Sequence, residues 1–196
     1  MIRRCCPSSP PYTLENRIAF VLILAVALIN TQTSAHAQIA FSSDRGGDMN
    51  IYVMDEDGKN VVQLTDHPQV DSTPAWSPDG RLIAFSSLRD ELPNTHGNSE
   101  IYIMDSDGGN PTRLTQEPNS IDTLPAWSPY GNRIAFASNR DGTGDIYVMD
   151  ADGGNLGRLT HDEWNRSPYD WAPSWSPSGR LYSTLLKIAC FQASGR

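Results

Sequence analysis

The sequence predicts an all-β fold built from a repeated four-stranded unit, and three observations predict it. The words "PAWSP" and "PSWSP" place tryptophans at Trp76, Trp127 and Trp175, 51 and 48 residues apart. The segments "IYVMDEDGKN" (51–60), "IYIMDSDGGN" (101–110) and "IYVMDADGGN" (146–155) recur at 50 and 45 residues, and "QLT", "RLT" and "RLT" follow each at the same intervals. Between these landmarks the chain reads as short strand-like runs broken by turn residues, with no helical period. Self-similarity at this period, with four strands per unit, is the signature of a propeller blade.

Each unit is justified strand by strand, in the order a, b, c, d. Strand a surrounds "TPAWS". It ends in Ser77-Pro78-Asp79-Gly80, a type I turn in which proline presets φ at the second place and glycine permits positive φ at the fourth. Strand b, "LIAFSS", puts Leu82, Ala84 and Ser86 on one face and Ile83, Phe85 and Ser87 on the other. Both faces are apolar, as in a sheet covered on both sides. Strand c is "EIYIMD", the Asp-Gly-Gly-Asn segment predicts a tight hairpin, and strand d is "TRLT".

The pattern P-A-W-S-P-D-G-x-x-I-A-F-x-S-x-R, followed by I-Y-x-M-D-x-D-G, resembles the propeller repeat of TolB, the periplasmic component of the Tol–Pal envelope system. Similar repeats occur in the propellers of prolyl-oligopeptidase-like and tricorn-like peptidases. The resemblance spans about residues 39 to 182; a separate N-terminal α/β domain of the kind TolB carries is not recognisable. It implies a TolB-type β-propeller with two complete blades and one split or incomplete blade. The expected boundaries are a partial blade at 38–73, blades at 74–124 and 125–172, the start of a further blade at 173–182, and an off-pattern tail at 183–196. Three blades are too few to close a ring, since propellers use four to eight. Either the chain is a shortened propeller, or two chains of three blades complete a six-bladed ring.

Residues 1–37 read as an export signal. Arg3, Arg4 and Arg17 precede the apolar run "IAFVLILAVALI" (18–29), too short to span a bilayer comfortably, and Ala35-His36-Ala37 has the small residues of a cleavage site. The other reading is an uncleaved anchor helix. Removing these residues takes away three arginines and one glutamate, so the net charge moves from −8 to −10. An acidic surface of this kind repels nucleic acid and anionic lipid. Cys5 and Cys6 fall in the signal and leave Cys190 alone, so no internal disulfide is expected in the exported chain. The expected location is the periplasm or the medium.

In a four-strand meander the a–b and c–d turns share one end, and the b–c and d–a loops share the other. The first end is uniform; the second varies. "DELPNTHGNSE" (90–100) is six residues longer than its equivalents after Arg45 and Arg140, and "HDEWNRSPYDWA" (161–172) carries three aromatic residues. Variable, aromatic loops on a repeated scaffold are where binding concentrates. The candidate binding residues are therefore Glu91, His96, Asn98, His161, Trp164, Tyr169 and Trp171. Trp76, Trp127 and Trp175 are expected to plug the seams between blades. Arg45, Arg89 and Arg140, at equivalent places after strand b, are expected to pair with a neighbouring loop.

No catalytic constellation, cofactor or metal site is expected. The D-x-D-G segments lack the sixth-place glycine and twelfth-place glutamate of a calcium loop. No G-x-S-x-G stands in the chain. His67 and His161 have no supporting ligands in sequence. The functional expectation is a non-catalytic binding scaffold of the cell envelope that docks a protein partner, a lipoprotein or peptide, through its variable loops. The alternative is the propeller of a prolyl-oligopeptidase-like or tricorn-like serine peptidase.

Overall fold

A computed structural model describes residues 37–90, 98–160 and 172–183. Among them every regular element is a strand. Strands β1 (Gln38–Ser43), β2 (Asn50–Asp55) and β3 (Val62–Gln63) form a three-stranded antiparallel sheet in sequence order. Strands β4 (Asp71–Trp76), β5 (Leu82–Ser87), β6 (Glu100–Asp105) and β7 (Thr112–Arg113) form a complete four-stranded meander. So do β8 (Asp122–Trp127), β9 (Arg133–Ser138), β10 (Asp145–Asp150) and β11 (Gly157–Arg158). Strands β12 (Pro173–Trp175) and β13 (Leu181–Ser183) make a two-stranded start of another. The described strands are thus a partial β-propeller of two whole blades flanked by two incomplete ones, with no closed ring among them. Blade 1 below means β1–β3, blade 2 means β4–β7 and blade 3 means β8–β11.

The two faces of strand b serve two seams. Ile83 and Phe85 pack with Ile51, Val53, Tyr102 and Met104, with Trp76 laid against them, so blade 1 meets blade 2. Ala84 faces the other way, into the cluster of Ile101, Trp127, Ile134, Phe136, Tyr147 and Met149, where blade 2 meets blade 3. Burying apolar area on both sides is worth about 25 cal/mol per Å² and ties each blade to its neighbours. The tryptophans sit in these seams, and Trp175 Nε1 donates to the Ala126 carbonyl at 3.0 Å, fastening β12 to blade 3.

The turns follow their residues. Gly80 N–H donates to the Ser77 carbonyl at 2.9 Å with φ of 69°, and Ser77 Oγ accepts from Leu82 N–H at 2.9 Å. The D-x-D-G-x-N segments make a wider turn than a two-residue hairpin, with both glycine and asparagine left-handed: Gly108 at 89° and Asn110 at 52°. Their aspartates close it. Asp105 accepts from Asn110 Nδ2 at 2.7 Å and Asp107 from Gly109 N–H at 2.9 Å, with matching bonds in the other blades.

Two features were not foreseen. Strand a carries a β-bulge, between Ser72 and Ala75 and again between Thr123 and Ala126, where Thr73 and Leu124 take positive φ. Pro74 and Pro125 lie inside it on an edge strand, a place where a residue without an N–H costs no ladder bond. Strand d is two residues long because a threonine hydroxyl replaces one bond of the next pair, while Leu64, Leu114 and Leu159 N–H still donate to the Ile51, Ile101 and Ile146 carbonyls at 2.8 Å. Thr65, Thr115 and Thr160 Oγ1 accept from the N–H groups of Ile51, Ile101 and Ile146 at 2.9, 2.9 and 3.0 Å.

Candidate functional site

The b–c and d–a loops rest on a floor of buried charge that repeats from blade to blade. In blade 2, Arg89 lies over the rings of Phe85 and Tyr102, 5.1 and 5.0 Å from their centroids. Its Nη2 donates to Asp71 Oδ2 at 2.9 Å, while Ser87 Oγ donates to Asp71 Oδ1 at 2.5 Å. In blade 3, Arg140 covers Phe136 and Tyr147 and donates to Asp122 Oδ2 at 2.6 Å, with Ser138 Oγ on Oδ1 at 2.6 Å. Both aspartates are fully buried. A buried charge is tolerated when it is paired and its other lone pairs accept hydrogen bonds, and both conditions hold.

A second layer lies beside the first. Arg113 Nη2 donates to Glu100 Oε1 at 2.6 Å, and Glu100 also accepts from Thr115 Oγ1 at 2.5 Å and Glu117 N–H at 2.8 Å. Arg158, Asp145 and Thr160 repeat the arrangement in blade 3. Burial pushes the Glu100 carboxyl above the ordinary glutamate range, against the pull of its hydrogen bonds from Thr115, Glu117 and Arg113. Tyr102 and Tyr147 donate short hydrogen bonds to Asp90 and Asp141. Burial first, and then those carboxylates, push both phenols up and keep them neutral.

Blade 1 is the neutral version of this floor. Asn50 stands where Glu100 and Asp145 stand, Gln63 replaces the arginine and Gly46 replaces Asp90 and Asp141. Asn50 Oδ1 accepts from Thr65 Oγ1 at 3.1 Å and from His67 N–H at 3.3 Å. Tyr52 Oη is left buried without a hydrogen-bond partner. Arg45 keeps its stack on Phe41 and Tyr52 at 4.9 and 5.0 Å, but its described hydrogen bonds run only to Ser43 Oγ.

Arg89 and Arg140 therefore pair within their own blade, with an aspartate opening strand a, rather than with a neighbouring loop. The aspartates were missed, although they stand five residues before each tryptophan in "DSTPAW" and "DTLPAW". The glutamate–arginine layer was missed too; its signal is the arginine of "RLT" opposite the acidic residue that opens strand c.

Of the candidate binding residues, Asn98 is buried, and its amide is assigned with the nitrogen toward the Ser120 and Glu117 carbonyls, the orientation in which it donates to both, at 2.7 and 2.8 Å. It laces the b–c loop to the d–a loop. Glu91, His96, His161, Trp164, Tyr169 and Trp171 lie outside the described residues. His67 Nδ1 accepts from Gln69 N–H at 3.1 Å, and no cluster of three metal-ligating side chains occurs among the described residues. At the opposite, turn-lined end a shallow cleft of about 360 Å³ opens between blades 2 and 3, lined by Pro78, Asp79, Trp127, Pro129 and Tyr130 among others. Tyr130 is 75% exposed there.

A family model, the TolB beta propeller domain, matches residues 92–187. Among curated proteins, a TolB homolog of Chlorobaculum tepidum is 37% identical over 79 residues, 40% of this chain and 18% of that protein. The Tol-Pal system protein TolB of Desulfosudis oleivorans is 33% identical over 69 residues, 35% of this chain and 16% of that protein. Among solved structures, a TolB from Agrobacterium tumefaciens superposes with a TM-score of 0.63 at 31% identity, over 75% of this chain and 50% of that one. The matches thus cover under a fifth of these curated relatives' length and half of that solved chain.

Proposed function

Because the chain carries TolB-like β-propeller repeats, we propose that it is a non-catalytic docking scaffold of the cell envelope, working with the Tol–Pal machinery. The protein partner binds at the b–c/d–a end. One observation carries the reading: a floor of paired buried charge underlies that end, whose connecting segments vary in sequence. The floor is the paired set Asp71–Arg89, Asp122–Arg140, Glu100–Arg113 and Asp145–Arg158. The rim is the long 90–100 loop and the aromatic 161–172 loop, which differ from their counterparts in the other blades. A pre-organised base beneath the loops lowers the ordering cost of binding. On this reading Glu91, His96, His161, Trp164, Tyr169 and Trp171 supply the contacts, with the tryptophans as anchors. Residues 1–37 direct export to the periplasm and are removed there.

The relatives compared above are TolB proteins, which favours the scaffold over the alternative of a peptidase propeller. The test replaces residues 90–100 with the short "DGTGD" of blade 3 and measures affinity for the Pal component of the same envelope by calorimetry. The expected result is binding by the parent chain and at least a tenfold loss in the variant. Equal affinity in both, or no binding by the parent, overturns the reading.

A further inference from the structure

The a–b turns share the frame Ser-Pro-x-Gly, and only its third place varies: Asp79, Tyr130 and Ser178. Aspartate and serine are ordinary turn residues, whereas a tyrosine adds nothing to the turn itself. Tyr130 is nevertheless 75% exposed, the most open large hydrophobic side chain among the described residues. The seams differ in what this place sets over the glycine of the next turn. Between blade 3 and β12–β13, a Cβ on Gly179 would meet the Tyr130 ring at 3.1 Å, so the tyrosine lies across that seam. Between blades 2 and 3, a Cβ on Gly131 would meet only Pro78 within 4 Å, at 3.6 Å. The shorter Asp79 leaves the cleft of about 360 Å³ open there.

Three kinds of surface meet in this cleft. Pro78, Trp127 and Pro129 give apolar walls, Asp79 a carboxylate and Tyr130 an accessible ring. Asp79 accepts from Ser77 Oγ at 2.7 Å and from Arg81 N–H at 3.2 Å, and these bonds hold its carboxyl below the ordinary aspartate range, so it stays charged. Its ion-pair partner among the described residues is Arg81, whose Nε stands 3.9 Å away with both side chains mostly exposed, a contact worth little. A carboxylate and an aromatic ring are the groups with which this fold holds its own guanidinium groups. Arg89 lies on Phe85 and Tyr102 and pairs with Asp71, and Arg140 repeats the arrangement on Phe136, Tyr147 and Asp122. Asp79 and Tyr130 offer the same two groups, and among the described residues no guanidinium lies on the Tyr130 ring. Charge favours the same guest. The turns at this end (55–61, 77–82, 105–111, 128–133, 150–156 and 176–181) carry eight carboxylates against four basic side chains, which draws a basic chain toward them.

We propose that this cleft docks an arginine from an extended segment of a second polypeptide. The guanidinium pairs with Asp79 and lies against Tyr130, while its methylenes cover Pro78, Trp127 and Pro129. Arginine suits the place better than lysine, because its planar group both stacks on a ring and pairs with a carboxylate. The cleft is shallow, so a lone arginine would leave its main-chain groups in water. The rest of a chain, laid along the acidic turns, supplies the remaining contact. This docking is additional to the one proposed at the b–c/d–a end and uses none of its residues.

The test titrates the purified, isotope-labelled chain with the end-blocked peptide GSGRGSG and its counterpart GSGEGSG, followed by NMR. The arginine peptide is expected to shift the amides of residues 77–82 and 127–131, and the glutamate peptide to leave them in place. Tyr130→Ala and Asp79→Asn are each expected to weaken binding about fivefold. Tyr130→Phe keeps the ring, and Asp107→Asn removes the same charge from a turn outside the cleft; both are expected within about twofold of the parent. The substituted side chains are largely exposed, so unchanged resonances elsewhere in each variant separate loss of the contact from loss of the fold. Shifts with the glutamate peptide, or none in the cleft with the arginine peptide, overturn the proposal. An Asp107→Asn loss equal to that of Asp79→Asn overturns it by reducing the attraction to diffuse charge. N-acetylarginine amide binding as tightly as the peptide overturns the polypeptide as occupant and assigns the cleft to a small guanidinium compound.

Discussion

Asp71 and Asp122 are single residues on which whole loops depend. Asp122 Oδ2 neutralises Arg140, whose side chain is only 12% exposed, and Oδ1 takes the Ser138 hydroxyl. Asp122→Asn leaves the guanidinium stacked and uncompensated. Breaking one side of a buried pair costs about 3–5 kcal/mol, and a loss near the lower figure is expected in urea unfolding, because asparagine still accepts from Ser138. Glu100 predicts a pH effect. Its folded-state pKa is raised, so its contribution to stability is fully present below the unfolded value and is lost as pH rises through the folded one. Stability measured from pH 4 upward is expected to fall in the parent relative to Glu100→Gln over that window. A gap between the two that is flat with pH would contradict this account of Glu100.

At the scale of elements, the legible part was whatever repeats by type. Periodic tryptophans, turn residues and alternating apolar faces placed strands a, b and c and their seams, because burial and turn geometry act on each residue locally. The partners of Arg89 and Arg140 were harder to read, because strand b meets strand a in space across eighteen residues and the aspartate that repeats five places before each tryptophan does not by itself name its partner. The bulge at Thr73 and Leu124 was hidden for a similar reason: neither residue type favours positive φ, so the residues themselves give no sign of it. The short strand d was hidden because a threonine hydroxyl substitutes for backbone. The c–d turns supply a comparison of equals. Gly58 and Gly108 have φ of 79° and 89°, but only Gly108 lies against a preceding blade. Gly58→Ala is expected to cost about 1 kcal/mol from backbone strain, and Gly108→Ala at least about 2 kcal/mol more through its clash with the Leu64 carbonyl. Thermal unfolding of the two variants checks the difference.

At the scale of the whole molecule, blades 2 and 3 complete their charge floors internally, whereas at the equivalent floor positions blade 1 has Asn50, Gln63 and Gly46 beside Arg45. On the proposed function the partner takes the end where the connecting segments vary, and the uniform end carries the turns. The cleft between Pro78 and Tyr130 belongs to the uniform end, so the two ends make opposite predictions about where a partner sits. Amide hydrogen exchange, followed with and without the Pal component, distinguishes them directly. Protection is expected at residues 90–99 and 116–121, around the loops laced together by Asn98. Protection confined to residues 77–80 and 129–132 would place the partner on the turns and contradict the assignment of the functional face.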